Sequence, residues 1–133
     1  MSSQPVRIEQ DFPPITRASL ALYAGASGDA NTVHIDSDAA RAAGFDDVFA
    51  QGMLVMAYMG RAVTDAVPLD RLRSFSTRFM SITRLGDRLT CTGNAGEAFQ
   101  EGGERRVAIA LEMKDQAGEV KLAGRAVCAT DRE

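Results

Sequence analysis

The sequence predicts an α+β fold, with one buried helix laid against an antiparallel sheet. Three observations carry that prediction. Residues 52–67 are apolar around most of a helical circumference, as a buried helix is. From Leu69 onward the apolar period changes to two. Val107, Ile109, Leu111 and Met113 alternate with Ala108, Ala110, Glu112 and Lys114, while Val120, Leu122, Gly124, Ala126 and Cys128 face away from Lys121 and Arg125. Glu101-Gly102-Gly103 and Gln116-Ala117-Gly118 have the composition of hairpin connections.

Each element has a local cause. Residues 5–11 read as a short strand, ended by Phe12-Pro13-Pro14. Thr16 is an N-cap for RASLALYAGAS, in which Leu20, Tyr23 and Ala24 share a face. Gly25 and Gly28 end that helix. GDANTVHI, residues 28–35, is turn-rich and reads as a loop. Asp36 or Ser37 caps the short helix DAARAA, closed by Gly44, and FDDVFAQG is a second loop. Pro68 stops the long helix. Two strands fall near 71–82 and 87–99, separated at Gly86-Asp87, ahead of the two alternating strands. The expected total is four or five antiparallel strands after the helix. A helix buried all round needs a sheet that curls about it or a partner that covers it, so the pattern also predicts an oligomer.

Composition bounds the function. The chain has 133 residues, enough for a single domain over 1–133, and a domain of this size buries roughly two-thirds of its unfolded surface. Its apolar fraction of 45% is too high for disorder, and a net charge of −3 with no basic block argues against a nucleic-acid binder. One His excludes a multi-histidine metal site; Cys91 and Cys128 form no CxxC pair and read as buried free thiols. MSSQPVRIEQDFPP has no apolar secretory stretch, and no apolar run reaches the roughly 18 residues of a membrane span. The expectation is a soluble cytoplasmic protein with reduced thiols.

The densest polar cluster runs from Tyr23 through Ser27, Gly28, Asp29 and Asn31 to His34, the sole histidine. A carboxylate and an imidazole on one loop can converge on a water and move two protons, while Asn31 holds the loop backbone. The same residues are also ordinary turn chemistry at a helix end. A second candidate is Ala50-Gln51-Gly52-Met53-Leu54, where a loop meets the long helix. Backbone N–H groups at a helix start are unsatisfied, and Gly52 allows close approach of a negative oxygen; tight packing alone also explains a glycine there. Met53, Leu54, Met56, Tyr58 and Met59 read as core more readily than as the lining of a ligand site. Arg61, Arg84, Arg105 and Arg106 read as solvated surface rather than as phosphate contacts.

Together these segments resemble the MaoC-like dehydratases, the family of (R)-specific enoyl-CoA hydratases. Y-A-G-A-S-G-D-A-N-T-V-H is similar to that family's Y/F-A-x-x-S-x-D-x-N-P-x-H, Q-G-M-L to its H-G-M-L, and R-F-M-S-I-T-R-L-G-D to its later strand signature. The resemblance covers residues 15–130 with order and spacing kept. It implies a hot-dog fold, a curved antiparallel sheet wrapped around a long central helix, and a dimer. It also implies reversible hydration of a trans-2-enoyl thioester, carried by coenzyme A or acyl carrier protein, to an (R)-3-hydroxyacyl thioester in fatty acid metabolism, without a metal or redox cofactor.

Residue by residue, the resemblance puts Asp29 and His34 on the catalytic dyad and Gly52 on the backbone oxyanion donor. Asn31 shapes the loop, and Gln51 and Met53 flank the substrate. Thr32 stands where Pro is usual, Gln51 where His is usual, and Gly60 where some members carry a Ser; Ile82 and Leu85 replace prolines. None of these departures removes a reacting group. A homodimeric hydratase is one reading. A second is the catalytic half of a heterodimer acting on a bulky enoyl-CoA, such as a steroid side chain. A non-catalytic acyl-binding subunit and a thioesterase complete the alternatives; the intact Asp29–His34 pair argues against the former and the hydratase signature against the latter.

Overall fold

A computed structural model of the chain describes residues 6–130. Strand β1 spans Arg7–Asp11, followed by helix α1 (Arg17–Ser27), a 3₁₀ turn (Thr32–His34), helix α2 (Ser37–Ala42) and helix α3 (Gly52–Ala66). Strands β2 (Leu72–Phe79), β3 (Thr90–Ala95), β4 (Phe99–Glu101), β5 (Glu104–Lys114) and β6 (Val120–Ala129) follow, after a second 3₁₀ turn at Leu69–Arg71. Five strands after the long helix, with β1 before it, form one six-stranded antiparallel sheet in the order β1-β3-β5-β6-β2. β4 pairs with the start of β5 and so occupies the same lane as β3, from which residues 96–98 separate it. The predicted α+β class is the one observed, and Arg7–Asp11 matches the expected first strand; Pro5 lies outside the described residues.

The helix starts obey local chemistry. Thr16 caps α1 through a reciprocal box with Ser19, and Gly28 closes it in the left-handed region at φ 80°. Gly25 stays inside the helix instead of ending it. Asp36 caps α2 by accepting the Asp38 N–H.

The core lies between α3 and the concave face of the sheet. Leu54, Val55, Met59, Ala62 and Val63 of α3 meet Cys91 of β3, Ile109, Leu111 and Met113 of β5, and Leu122, Ala126 and Cys128 of β6. Gly124 makes that approach close: a Cβ there would fall 2.7 Å from Met59 Sδ and 3.0 Å from the Ser76 carbonyl. Tyr58 stacks on Phe12 with ring centroids 4.8 Å apart, so Leu54, Tyr58 and Met59 are core residues. Both thiols are free and buried, and burial pushes that of Cys91 up to about 11.

Two expectations change. α3 is not buried all round in the protomer: Met53, Ala57, Arg61, Thr64 and Asp65 are exposed along one face. Arg61, Thr64 and Asp65 mark that face as polar in the second half of the helix, whereas Met53 and Ala57 extend it with apolar residues. Lys121, placed by alternation on the solvent side, is 1% exposed. The reason is a bulge. Met113 pairs with Leu122 and Lys114 with Val120, which leaves Lys121 as the extra residue on β6 and turns its side chain inward. There the ammonium donates to the Ile82 carbonyl at 2.9 Å and to Glu119 at 2.6 Å, with Asp115 at 3.4 Å and Asp87 at 3.5 Å. The backbone carbonyl of Lys121 accepts from Met80 and Ser81. One residue therefore grips residues 80–82, which run past the start of α3.

Candidate active site

The loop after α1 is built by side chains that answer its own backbone. Gly28 takes the left-handed turn, the Asp29 N–H donates to Ser27 Oγ at 3.1 Å, and Asp29 Oδ1 accepts the Asn31 N–H at 3.3 Å. Asn31 Oδ1 then accepts the Val33 N–H at 3.2 Å and opens the 3₁₀ turn that carries His34. Thr32 is the first residue of that turn, a position whose N–H needs no partner, so Thr and Pro fit there alike. Asn31 is exposed and acts on the loop backbone; Asp29 is half-buried.

His34 is 9% exposed, and its ring is fixed from across the fold. Nδ1 lies 2.8 Å from the Phe49 carbonyl, and the two rings meet edge to face at 4.9 Å and 77°. A carbonyl oxygen can only accept, so Nδ1 carries the proton and the neutral imidazole keeps its lone pair on Nε2. Nε2 has no partner among the described residues and is not sealed from solvent, since Gln51 Oε1 is the orphaned buried side-chain polar atom there. The imidazole is thus a held base with an open acceptor.

The Phe49 segment leads directly to Gly52. Phe49 bridges to Arg84, the Ala50 N–H donates to the Thr83 carbonyl at 2.8 Å, and α3 begins at Gly52. The Gly52 N–H belongs to the first turn, has no intrahelical partner and makes no hydrogen bond among the described residues. Gly52 is exposed, with the Phe79 ring so close that a Cβ would sit 3.0 Å from it. Gln51 is fully buried: its Nε2 donates to the Leu20 carbonyl at 3.0 Å, tying α1 to the start of α3. Met53, Phe79 and Met80 are all exposed apolar side chains, each a little over half accessible.

Two cavities flank this segment. One of about 340 Å³ is walled by Phe49, Ala50, Gly52, Val55, Phe79 and Lys121, among others. The other, about 490 Å³, lies under Phe45, Val48, Phe49, Ile82, Arg84 and Leu85. Both are in the size range of small-molecule sites. Gly52 opens on the first, whereas Asp29 and His34 are in the wall of neither. Arg84 is the one cavity residue among the four arginines read as surface; Arg61 pairs with Asp65, and Arg106 with Glu101 and Glu104.

Sequence reasoning missed two parts of this arrangement. Phe49, whose carbonyl fixes the imidazole, acts through its backbone, which no residue-type signal reveals. Lys121 was hidden by the bulge. Among the described residues no helix is long and apolar enough to cross a membrane.

Comparison with known proteins adds the following. A family profile described as "MaoC like domain" matches residues 3–116. The chain is 35% identical over 102 residues to the fatty acid synthase subunit beta of Aspergillus oryzae, an alignment that covers 65% of this chain and 5% of that protein. The R-hydratase PhaJ1 of Pseudomonas aeruginosa, solved in the unliganded form, superposes with a TM-score of 0.79 at 26% identity, covering 97% of this chain and 90% of that one. The ChsH1–ChsH2 complex of Mycobacterium tuberculosis contains a chain that superposes with a TM-score of 0.80 at 19% identity, over 98% of this chain and all of that one. The sheet wrapped on α3 is the hot-dog fold of these proteins.

Proposed function

Because the chain belongs to the MaoC-like dehydratase family, we propose that it adds water reversibly to trans-2-enoyl thioesters, giving (R)-3-hydroxyacyl thioesters, with Asp29 and His34 as the reacting pair. The observation that carries this reading is the His34–Phe49 hydrogen bond, which leaves a lone pair at Nε2 on the loop that also bears Asp29. The likeness to an R-hydratase and to a fatty acid synthase subunit supports a fatty-acyl thioester substrate, on coenzyme A or acyl carrier protein.

The Gly52 N–H donates to the thioester oxygen as C3 is attacked and charge gathers there. The water oxygen bonds to C3, one of its protons passes to the Asp29–His34 pair, and the pair returns a proton to C2. H and OH have then been added across the double bond, and both side chains end in their starting protonation states. Asn31 keeps the loop in shape, Gln51 sets α1 against the oxyanion donor, and Met53 lies at the mouth of the site.

We read the assembly as an oligomer, a homodimer or a pairing with a second hot-dog subunit, in which the partner covers Met53, Phe79 and Met80 at the β2 edge. The resemblance to one chain of a two-component complex supports the heteromeric form. The test is a panel of short, medium and bulky trans-2-enoyl-CoAs with chiral analysis of the product. The expected product is the (R)-3-hydroxyacyl thioester. An (S) product, or release of free coenzyme A in place of hydration, overturns the reading.

A further inference from the structure

His34 is useful only if Phe49 stays where it is, and the two belong to segments with different anchors. The Phe49 segment is held on its far side by the bridge to Arg84 and the Ala50–Thr83 hydrogen bond. The His34 segment continues into α2, whose far end is tied to the 44–47 turn by Phe45 N–H to the Ala40 carbonyl and Arg41 Nε to the Asp46 carbonyl. At the near end of α2, three residues after His34, the tie is a single side chain, Asp47.

The Asp47 carboxylate is met from three directions. Ser37 Oγ donates to Oδ1 at 2.6 Å, Val48 N–H donates to the same oxygen at 2.8 Å, and Arg17 forms a two-point pair at 2.5 and 3.3 Å. Arg17 also donates to Ser37 Oγ at 2.9 Å, and Arg41 stands 4.0 Å from Oδ2. Arg17 is the first residue of α1 and Ser37 the first of α2. Val48 directly precedes Phe49. One carboxylate therefore joins both helix starts to the residue beside the carbonyl that holds the imidazole.

We propose that Asp47 is a positioning residue for His34: by bracketing Ser37 to Val48 it keeps the Phe49 carbonyl against Nδ1 and so holds the imidazole as its Nδ1–H tautomer. The catalytic consequence rests on the role given to His34 above; the structural consequence does not. The Arg17 and Ser37 hydrogen bonds, with that of the Val48 N–H, keep the Asp47 carboxyl far below the usual carboxylate range, so the bracket is ionised at any pH where hydration would be assayed.

The sole histidine makes the test direct. The imidazole of the full-length ¹⁵N-labelled protein gives one set of two-bond ¹H–¹⁵N correlations, which report the tautomer. Wild type is expected to show Nδ1 protonated and Nε2 bare. Asp47→Ala is expected to give a mixture of tautomers, with kcat lowered about 10- to 10²-fold, the scale of a displaced reacting group, and KM within about 2-fold. Asp47→Asn keeps an oxygen for Ser37 and Val48 and is expected to restore most of the wild-type spectrum and rate.

An unchanged Nδ1–H spectrum in Asp47→Ala overturns the proposal, as does an Nε2–H tautomer in wild type. If Asp47→Ala does not fold, Ser37→Ala removes one arm alone, and the same two spectral outcomes decide. A tautomer shift in Asp47→Ala, from a wild type that hydrates no enoyl thioester, sustains the bracket and defeats the functional reading instead.

Discussion

Gln51 is fully buried, and only half of its amide is satisfied. Nε2 donates to the Leu20 carbonyl while Oε1 has no partner among the described residues. A buried hydrogen bond contributes about 1 kcal/mol net, whereas an orphaned buried acceptor costs about 1–3 kcal/mol. Gln51→Leu removes both at nearly constant volume. It should leave stability unchanged or slightly raised, read as the midpoint of a urea denaturation curve. A loss above about 2 kcal/mol would mean that Oε1 is hydrogen-bonded in solution. The sequence marks position 51 only as a departure from the His of related proteins, and what decides its role is its burial and its hydrogen bond to Leu20, thirty-one residues away. Asp29 and Asn31 were legible for the opposite reason: their turn chemistry is local, each side chain accepting from an N–H two residues on, and it delivers His34 to the site, although the partner that fixes the imidazole lies at Phe49.

The elements were legible wherever one periodicity governs them. β5 keeps strict alternation along its buried half, with Ile109, Leu111 and Met113 inside and Ala110 and Glu112 outside. β6 breaks its alternation at the bulge, where Lys121 enters the core among Asp87, Asp115 and Glu119. Burial pulls the Lys121 pKa down, but the Glu119 hydrogen bond and the neighbouring charges outweigh it and leave it raised. Deleting that ammonium would strand carboxylates at a nearly dry site, a loss of about 3–5 kcal/mol by analogy with other broken buried ion pairs. Lys121→Met should therefore lower the denaturation midpoint strongly. It should also loosen residues 80–82, visible as faster amide exchange at Met80 and Ser81, both of which donate to the Lys121 carbonyl. Exchange there no faster than in wild type would show that the bulge holds without its charge. A bulge is one residue of register, and no pattern of residue types along β6 announces it.

For the whole molecule, acid should act through a few held carboxylates. Hydrogen bonds from Arg73 and Arg106 lower the Glu104 pKa from 4.5 to about 2, and Asp47 and Asp115 are lowered as well. A carboxyl whose folded pKa lies below its unfolded one stabilises the fold fully above the unfolded value and loses that contribution as pH falls towards the folded one. For Glu104 the window runs from about 4.5 down to about 2. The melting temperature should fall across that window, and Glu104→Gln should flatten the fall; an equal fall in the variant would remove Glu104 from the account. The overall architecture was legible because α3 and the alternating strands differ so plainly in period. The exposed face of α3 was legible only in its second half, where Arg61, Thr64 and Asp65 stand; at Met53 and Ala57 the face is apolar and reads like core. The central claim is that Asp29 and His34 together carry hydration, and the most direct measurement is loss of enoyl-thioester absorbance with wild type and Asp29→Asn, each shown to be folded. Asp29→Asn keeps shape and removes basicity, so hydration is expected to fall by about 10²- to 10⁴-fold. Wild-type turnover in Asp29→Asn would contradict the account.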